Sequence, residues 1–129
     1  MKNMSSDLEE PLAFLNRYYE AFSTLSVDAV LPFYNEPSMF ISAQGVNAVP
    51  TRAALGAMVF TPMMKALSSR GFGRSEFSLH HGKRISDVVA VLIGVAIRYK
   101  ADHSELERVG ITYIVRKHDN DWGIAVLAA

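Results

Sequence analysis

Two adjacent histidines are the residues of this sequence best suited to proton transfer. His80 and His81 lie in residues 72–83, where alternating polar and apolar residues predict a β-strand. Histidine is the side chain that most often gives or takes a proton near neutral pH. Neighbouring strand residues point to opposite faces, so only one of the two can face the interior, and they are poorly placed to share a metal ion. Either one is a candidate base or ligand contact.

Arg98 is the charged residue within an otherwise apolar strand, residues 87–99. Two interpretations stay open from the sequence. An arginine near a strand end can extend to water or pair with Glu107 across the predicted hairpin. Alternatively, its guanidinium can anchor the carboxylate of a ligand through paired hydrogen bonds.

The sequence offers little metal or thiol chemistry. It contains no cysteine, which excludes disulfides, thiolate zinc sites and cysteine nucleophiles. His103 and His118 lie at predicted loop or strand ends, and the spacing of the four histidines does not support a three-ligand zinc site. We therefore expect no metal ion and no cofactor.

The strand predicted over residues 87–99 organises the rest of the chain. Its β-branched residues favour a pleated conformation. Both of its faces are apolar, one lined by Val89, Val91, Ile93, Val95 and Ile97, the other by Val88, Ala90, Leu92, Gly94 and Ala96. A strand with one wet face should alternate apolar and polar residues, so both faces should be covered. We expect helices on one face and a second copy of the chain on the other, which predicts a homodimer formed through the outer sheet face.

Helical periodicity precedes the strands. Apolar spacing predicts helices over residues 7–24, 27–34 and 52–69, with Ser26 and Thr51 as N-caps of the second and third. Pro62 should kink or split the third helix. Strands are predicted over residues 38–43, 72–83, 87–99, 107–118 and 122–127, with a connector at 46–50. Helices first and consecutive strands last indicate an α+β fold, with three helices packed on a mixed or antiparallel sheet.

Length and charge narrow the function classes. A chain of 129 residues predicts one domain, residues 1–129, with residues 1–5 disordered. Acidic and basic residues number 13 each, so no basic excess favours nucleic acid. The N-terminus lacks the apolar core of a signal peptide, and the apolar run 88–97 is too short to span a bilayer. These features predict a cytoplasmic protein without a membrane partner.

The order of elements resembles that of the nuclear transport factor 2-like superfamily. The segments that carry the resemblance are Asn16–Phe22 in the first helix, Asp28–Phe33 in the second, and Ile111–Lys117 with Asp121–Ile124 near the end. The resemblance implies a cystatin-like cone, a curved sheet wrapped around the first helix with a cavity opening at one end. It also implies dimerisation through the outer sheet face. Members include ketosteroid isomerase, polyketide cyclases, dehydratases, an epoxide hydrolase, and non-catalytic carriers and dimerisation modules.

A ketosteroid-isomerase-like site requires a carboxylate base, a first-helix tyrosine and a second, neutral carboxylic acid. Tyr18 matches the tyrosine in position. The base is expected near residues 41–43 and the second acid near Thr112, but neither region contains an acidic residue. Without a base that reaction has no proton acceptor, so the resemblance does not establish an enzyme.

The resemblance also suggests which residues line the cone. The candidate pocket residues are Tyr18, Phe22, Phe40, Ser42, Met58, Met63, His80, Arg98, Thr112, Ile114 and Trp122. Buried aromatics and methionines also serve as ordinary core packing, so each of these residues has a structural alternative. The remaining set is mostly apolar, which favours a hydrophobic or weakly polar ligand.

Three hypotheses follow. The first is a homodimer that binds a small hydrophobic molecule in an apolar conical pocket. The second is an enzyme of the polyketide-cyclase or dehydratase kind, with His80 or His81 as base and Tyr18 as oxyanion donor. The third is a non-catalytic dimerisation or interaction module, which a cone filled by side chains would favour over the other two.

Overall fold

The computed structural model describes residues 4–129 of the chain, with side chains from Asp7 onward. Helices lie on one face of a six-stranded sheet, which confirms the predicted α+β class. The expected disorder of residues 1–3 stays a prediction, since they lie outside the described residues, whereas residues 4 and 5 belong to the first helix. None of the described helices is long and apolar enough to cross a membrane.

The first helix, α1, spans Met4–Ser23 and lies across the inner face of the sheet. It starts before the predicted residue 7, so Pro11 lies well inside it. Proline has no N–H and leaves the carbonyl four residues earlier without its helical partner. The Arg84 guanidinium supplies a partner from the sheet, because its Nη1 donates to the Asp7 carbonyl at 2.9 Å. This hydrogen bond allows the helix to continue through a buried proline.

The second helical segment is shorter than predicted. The α-helix α2 spans Val27–Val30 and continues as a 3₁₀ turn over Leu31–Phe33. Ser26 is its N-cap, as predicted, and its side chain accepts from the Ala29 backbone N–H. Tyr34 already belongs to the first strand, which places it beside α1 rather than in a helix.

The third helix is split before Pro62, as predicted. It comprises α3, Arg52–Leu55, a π-helical turn over Gly56–Phe60, and α4, Thr61–Ser69. Thr51 caps its start through a hydrogen bond from the Ala54 N–H, and Gly71 follows its end with φ of +84°. A positive φ is favourable for glycine at this position after a helix.

The sheet has the order β2-β1-β6-β5-β4-β3. Its strands are β1 Tyr34–Ser42, β2 Gly45–Val49, β3 Phe72–Arg84, β4 Val89–Lys100, β5 Glu105–His118 and β6 Asp121–Ala128. β1 and β6 are parallel and the other neighbours antiparallel, so the sheet is mixed. The prediction of a connector at residues 46–50 was wrong. Residues 45–49 form a hairpin strand because Gly45, at φ of +138°, reverses the chain directly after β1.

The two faces of β4 differ in their cover. Ala90 and Leu92 are fully buried on the inner face, beneath the helices. On the outer face Ile93 is 40% exposed, and Val91 and Val95 are half-buried. Helices therefore cover one face, as predicted, and the outer face remains apolar and accessible.

Candidate functional site

Tyrosines from three elements meet inside the cone. Tyr18 and Tyr19 lie on α1 and reach β1 and β5, respectively. The Tyr18 hydroxyl is 2.7 Å from that of Tyr34, and the Tyr19 hydroxyl is 2.8 Å from that of Tyr113. Because all four side chains are buried, these pairs satisfy hydroxyl groups that would otherwise be costly to remove from water.

Aromatic rings fill the space around these pairs. Tyr18 contacts five other rings with centroid distances of 5.5–6.3 Å, and Phe60 packs on Tyr34 at 5.3 Å. Most of these contacts are edge-to-face or tilted, which is the favourable geometry for aromatic pairs. The first helix therefore contributes packing where the resemblance predicted a reactive tyrosine.

The inner cavity that remains has a volume of about 30 Å³. Pockets for drug-sized ligands occupy roughly 300–1,000 Å³, whereas a cavity of about 10–15 Å³ holds one water. The predicted apolar conical pocket is thus filled by the protein's own aromatic side chains. The residues that line the inner cavity are Tyr18, Tyr19, Phe22, Phe60, Met63, Ser75, Ala96, Arg98, Ile111, Tyr113 and Leu127.

Burial keeps these tyrosines neutral. It raises the pKa of Tyr19 to about 12, even though the hydrogen bond with Tyr113 and the nearby Arg98 oppose this shift. Burial also raises the pKa values of Tyr18, Tyr34 and Tyr113 far above the ordinary tyrosine value. A neutral tyrosine can donate a hydrogen bond but does not act as a base near neutral pH.

Three charged side chains form a network at the edge of the inner cavity. Arg98 faces Glu107 across the β4–β5 pair and its Nη1 donates to that carboxylate. The Arg70 Nη1, from the residue that follows α4, donates to the other carboxylate oxygen at 2.8 Å. Burial alone would raise the pKa of Glu107, but the hydrogen bonds from Arg98 and Arg70 outweigh it and lower that pKa. The interpretation of Arg98 as a partner of Glu107 is therefore correct.

Two buried polar atoms at the inner cavity have no partner among the described residues. They are Arg98 Nε and Ser75 Oγ. The backbone of Ser75 is held by Ser23, whose Oγ accepts from the Ser75 N–H at 2.9 Å, but this leaves the Ser75 hydroxyl unpaired. Burying a donor without an acceptor costs folding free energy and is uncommon, so these two atoms distinguish the inner cavity from the rest of the core.

Four predicted pocket residues line the inner cavity, namely Tyr18, Phe22, Met63 and Arg98. The other predictions fall elsewhere. Met58 is 64% exposed on the π-helical turn, and Ser42 is an exposed residue that donates to Gln44. Phe40 stacks on Tyr34 at 5.7 Å, outside the cavity lining.

Thr112 and Ile114 were assigned to the wrong face of β5. They pair with Ile93 and Val91, respectively, on the outer face. The inner face carries Ile111, Tyr113 and Val115, of which Tyr113 and Val115 are almost fully buried. These three apolar residues alternate along the sequence, and that pattern was the available signal for Tyr113.

Neither histidine reaches the inner cavity. His81 pairs with the outward-facing Ile93, and the β-bulge between Leu79 and His81 contains His80, which is exposed. Among the described residues, no group of three histidine and acidic side chains could hold a metal ion. The candidate base is thus separated from Tyr18, which the second hypothesis requires as its partner.

Trp122 lies at a different concave surface. Its indole Nε1 donates to Glu10 Oε1 at 2.7 Å, and its ring contributes to an open surface groove of about 420 Å³. The other residues of this groove include Arg17, Arg52 and His118 together with Asp119 and Asp121. Cations and anions are mixed here, so the groove offers no single charge for a ligand.

The outer face carries a continuous apolar band across five strands. Strand register brings Val46 beside Ile41, Met39 beside Val126, Val126 beside Ile114, and Ile114 beside Val91. We call this set, together with Ile93 and Val95, the outer band. Met39, Ile41, Val46 and Ile93 are 37–65% exposed, so a large apolar surface faces away from the helices.

Comparison with solved structures shows the same fold in several bacterial proteins. A protein of Thiobacillus denitrificans, described provisionally as a calcium/calmodulin-dependent protein kinase type II association domain, matches with a TM-score of 0.73 at 19% identity, over 92% of this chain and 91% of that one. An NTF2-like protein with a cystatin-like fold from Novosphingobium aromaticivorans matches with a TM-score of 0.70 at 15% identity, over 95% and 80%. A ketosteroid isomerase-like protein of Erwinia carotovora atroseptica matches with a TM-score of 0.61 at 14% identity, over 98% and 95%.

These likenesses confirm the cystatin-like fold that the resemblance implied. No functionally curated protein matches the chain. A family model described as NTF2-like protein (DUF6841) matches residues 9–129. Since this match covers almost the whole sequence, the chain belongs to that NTF2-like family.

Proposed function

We propose that this protein is a non-catalytic association module that forms a homodimer through the outer face of its sheet. The observation that carries the proposal is the outer band, which exposes aliphatic residues of five adjacent strands on one surface. Large contiguous apolar patches are unusual on monomers and mark interaction surfaces.

The layout of the outer face suits a second copy of the same chain. Its central strands, β6, β5 and β4, present Val126, Ile114, Val91 and Ile93, whereas charged residues lie on the edge strand β3 and toward the strand ends, as Lys83, Arg108 and Arg116 do. An interface with an apolar centre and a charged rim has the usual anatomy of a protein–protein contact. A face with an uncharged centre can meet its own copy across a two-fold axis without opposing like charges.

The size of the face is adequate for a stable dimer. Six strands spaced at about 4.8 Å make it about 29 Å wide, and the eight residues of β6 make it about 26 Å long. The resulting area of about 750 Å² is close to the roughly 800 Å² that each partner buries in a standard interface. The description of the Thiobacillus denitrificans protein as an association domain supports the same function.

The filled cone favours this proposal over the ligand-binding and enzyme hypotheses. A cavity of about 30 Å³ does not admit a hydrophobic ligand of ordinary size. The Tyr18 hydroxyl is bonded to Tyr34, and His80 is exposed in a bulge outside the cavity lining. No observation therefore favours acid–base catalysis by these residues, and a cytoplasmic location stays a prediction.

Sedimentation velocity at micromolar concentration tests the dimer. We expect the wild-type chain to sediment as a dimer and Ile93→Glu to sediment as a folded monomer, because the substitution places two carboxylates in an apolar interface. Met58→Glu is the matched control, since Met58 is more exposed than Ile93 but lies on the helical side. A monomeric wild type, or a dimer that persists in Ile93→Glu, would overturn the proposal.

A further inference from the structure

The inner cavity is rich in hydrogen-bond donors. Each tyrosine pair contains two hydroxyl hydrogens but one hydrogen bond, so each pair retains one further donor without a partner among the described residues. Arg98 Nε–H and the Ser75 hydroxyl add two more, and both atoms are buried. Ser75 is only 7% exposed, which rules out ordinary solvation of its side chain. Ser75 and Arg98 are neighbours in the β3–β4 register, and both line the inner cavity together with Tyr18, Tyr19 and Tyr113.

The charge at the cavity edge is positive. Glu107 pairs with two arginines, Arg98 and Arg70, and arginine stays protonated in proteins. These three groups therefore carry a net charge of +1, and the residues that line the inner cavity include no carboxylate. The Glu107 contact uses Nη1 of Arg98, so the Nε–H of this cavity-lining residue has no partner among the described residues.

We propose that the inner cavity binds a small monovalent anion of halide size, held by Arg98 Nε–H and the Ser75 hydroxyl. A volume of about 30 Å³ accepts one or two water-sized species, which suits a halide and excludes larger carboxylates or phosphates. A cavity with unpaired donors and a positive charge favours an anion over a water molecule, because water would also need acceptors for its own two hydrogens. The site is independent of the outer band and does not require the dimer.

Bromide is the probe, because its anomalous scattering identifies it in a crystal. Crystals of the full chain grown in sodium bromide should show an anomalous peak within hydrogen-bond distance of both Arg98 Nε and Ser75 Oγ. In solution, the melting midpoint should rise with bromide or chloride relative to sodium gluconate at equal ionic strength, because an ion that binds only the folded state stabilises it. Gluconate serves as the reference because it is too large for the inner cavity.

Variants assign the effect to this site. Arg98→Met should raise the halide concentration needed for a given midpoint shift roughly tenfold or more, in line with loss of a hydrogen bond to a charged group. Arg74→Met is the matched control, since it removes an equally charged but exposed arginine that pairs with Glu76. If Arg98→Met does not fold, Ser75→Ala, which removes only the hydroxyl, should reduce the halide dependence at least twofold.

The outcomes separate the alternatives. A peak at both atoms supports the proposal when Arg98→Met also weakens the halide dependence of the midpoint about tenfold or more. Density for water at the site with no anomalous signal overturns it. A bromide peak without any midpoint difference in solution would identify an adventitious ion only, and would overturn it as well.

Discussion

The two faces of β5 carry different kinds of side chain and differ in how they are covered. On β5, Tyr113 and Val115 point inward and are almost fully buried, whereas Thr112 and Ile114 point outward and are half-buried. The inner face carries aromatic rings that interlock with α1, and the outer face carries aliphatic side chains without a cover from the helices. The chain thus covers one apolar face of its sheet with its own helices and leaves the other accessible.

This comparison predicts that inward substitutions unfold the chain and outward ones separate its copies. Tyr113→Ala should lower the free energy of unfolding by about 3–5 kcal/mol, since it removes a large buried ring and leaves the Tyr19 hydroxyl without its partner. Ile114→Ala, one residue along, should cost about 1 kcal/mol and make the unfolding transition depend less on protein concentration, because a weaker interface couples unfolding less to dissociation. Urea unfolding at two protein concentrations measures both effects.

Equal losses of unfolding free energy for these two variants would contradict the comparison. It would mean that the outer face is as tightly packed within one chain as the inner face. A smaller concentration dependence for Tyr113→Ala than for Ile114→Ala would contradict it too, because the inner residue has no place in the proposed interface.

The hydroxyl pairs permit a finer test within the inner face. Tyr19→Phe keeps the ring and removes one hydroxyl, which leaves Tyr113 buried with an unpaired polar group. We expect the free energy of unfolding to fall by about 1–3 kcal/mol. Removing both hydroxyls, in Tyr19→Phe with Tyr113→Phe, should cost less than Tyr19→Phe alone, because no unpaired group remains. A double variant that costs the sum of the two single variants would show that the pair is not coupled.

The fold could be predicted from the sequence more fully than the site could. Strong local sequence patterns predicted the helix caps at Ser26 and Thr51, the helix break before Pro62, and a strand β4 that is apolar on both faces. The strand β2 was missed because Gly45–Val49 is short and mostly exposed, so its residues show no apolar alternation. Its pairing with β1 follows from the turn and not from its own composition.

The site residues were harder to place because their side chains depend on register. A shift by one residue exchanges the two faces of a strand, and both parities of residues 111–115 contain apolar residues. Thr112 and Ile114 were assigned inward from the resemblance, and the apolar pattern of this strand did not correct the register. The size of the inner cavity could not be predicted from the sequence either. It depends on how aromatic rings from α1, β1 and β5 pack together, and these elements are far apart in the sequence.

The smallest expected effect concerns the charged network at the edge of the inner cavity. The pKa of Glu107 lies below the ordinary value of 4.5 in the folded state, so its ionised form contributes stability at neutral pH. That contribution is fully present above the unfolded-state pKa and is lost as the pH falls through the lower folded-state pKa. Glu107→Gln should therefore lower the free energy of unfolding at pH 7 by about 1 kcal/mol or less, and should flatten its dependence on pH below about 4.5.

Glu105→Gln is the control for this prediction, because Glu105 pairs with Arg108 at a more exposed position on the same strand. Urea unfolding of both variants between neutral and acidic pH measures the difference. If Glu105→Gln flattens the acid limb as much as Glu107→Gln, then the Arg98–Glu107–Arg70 network has no special place in the fold. If only Glu107→Gln does so, the network stabilises the folded chain at the edge of the inner cavity, where the aromatic packing of the inner face ends.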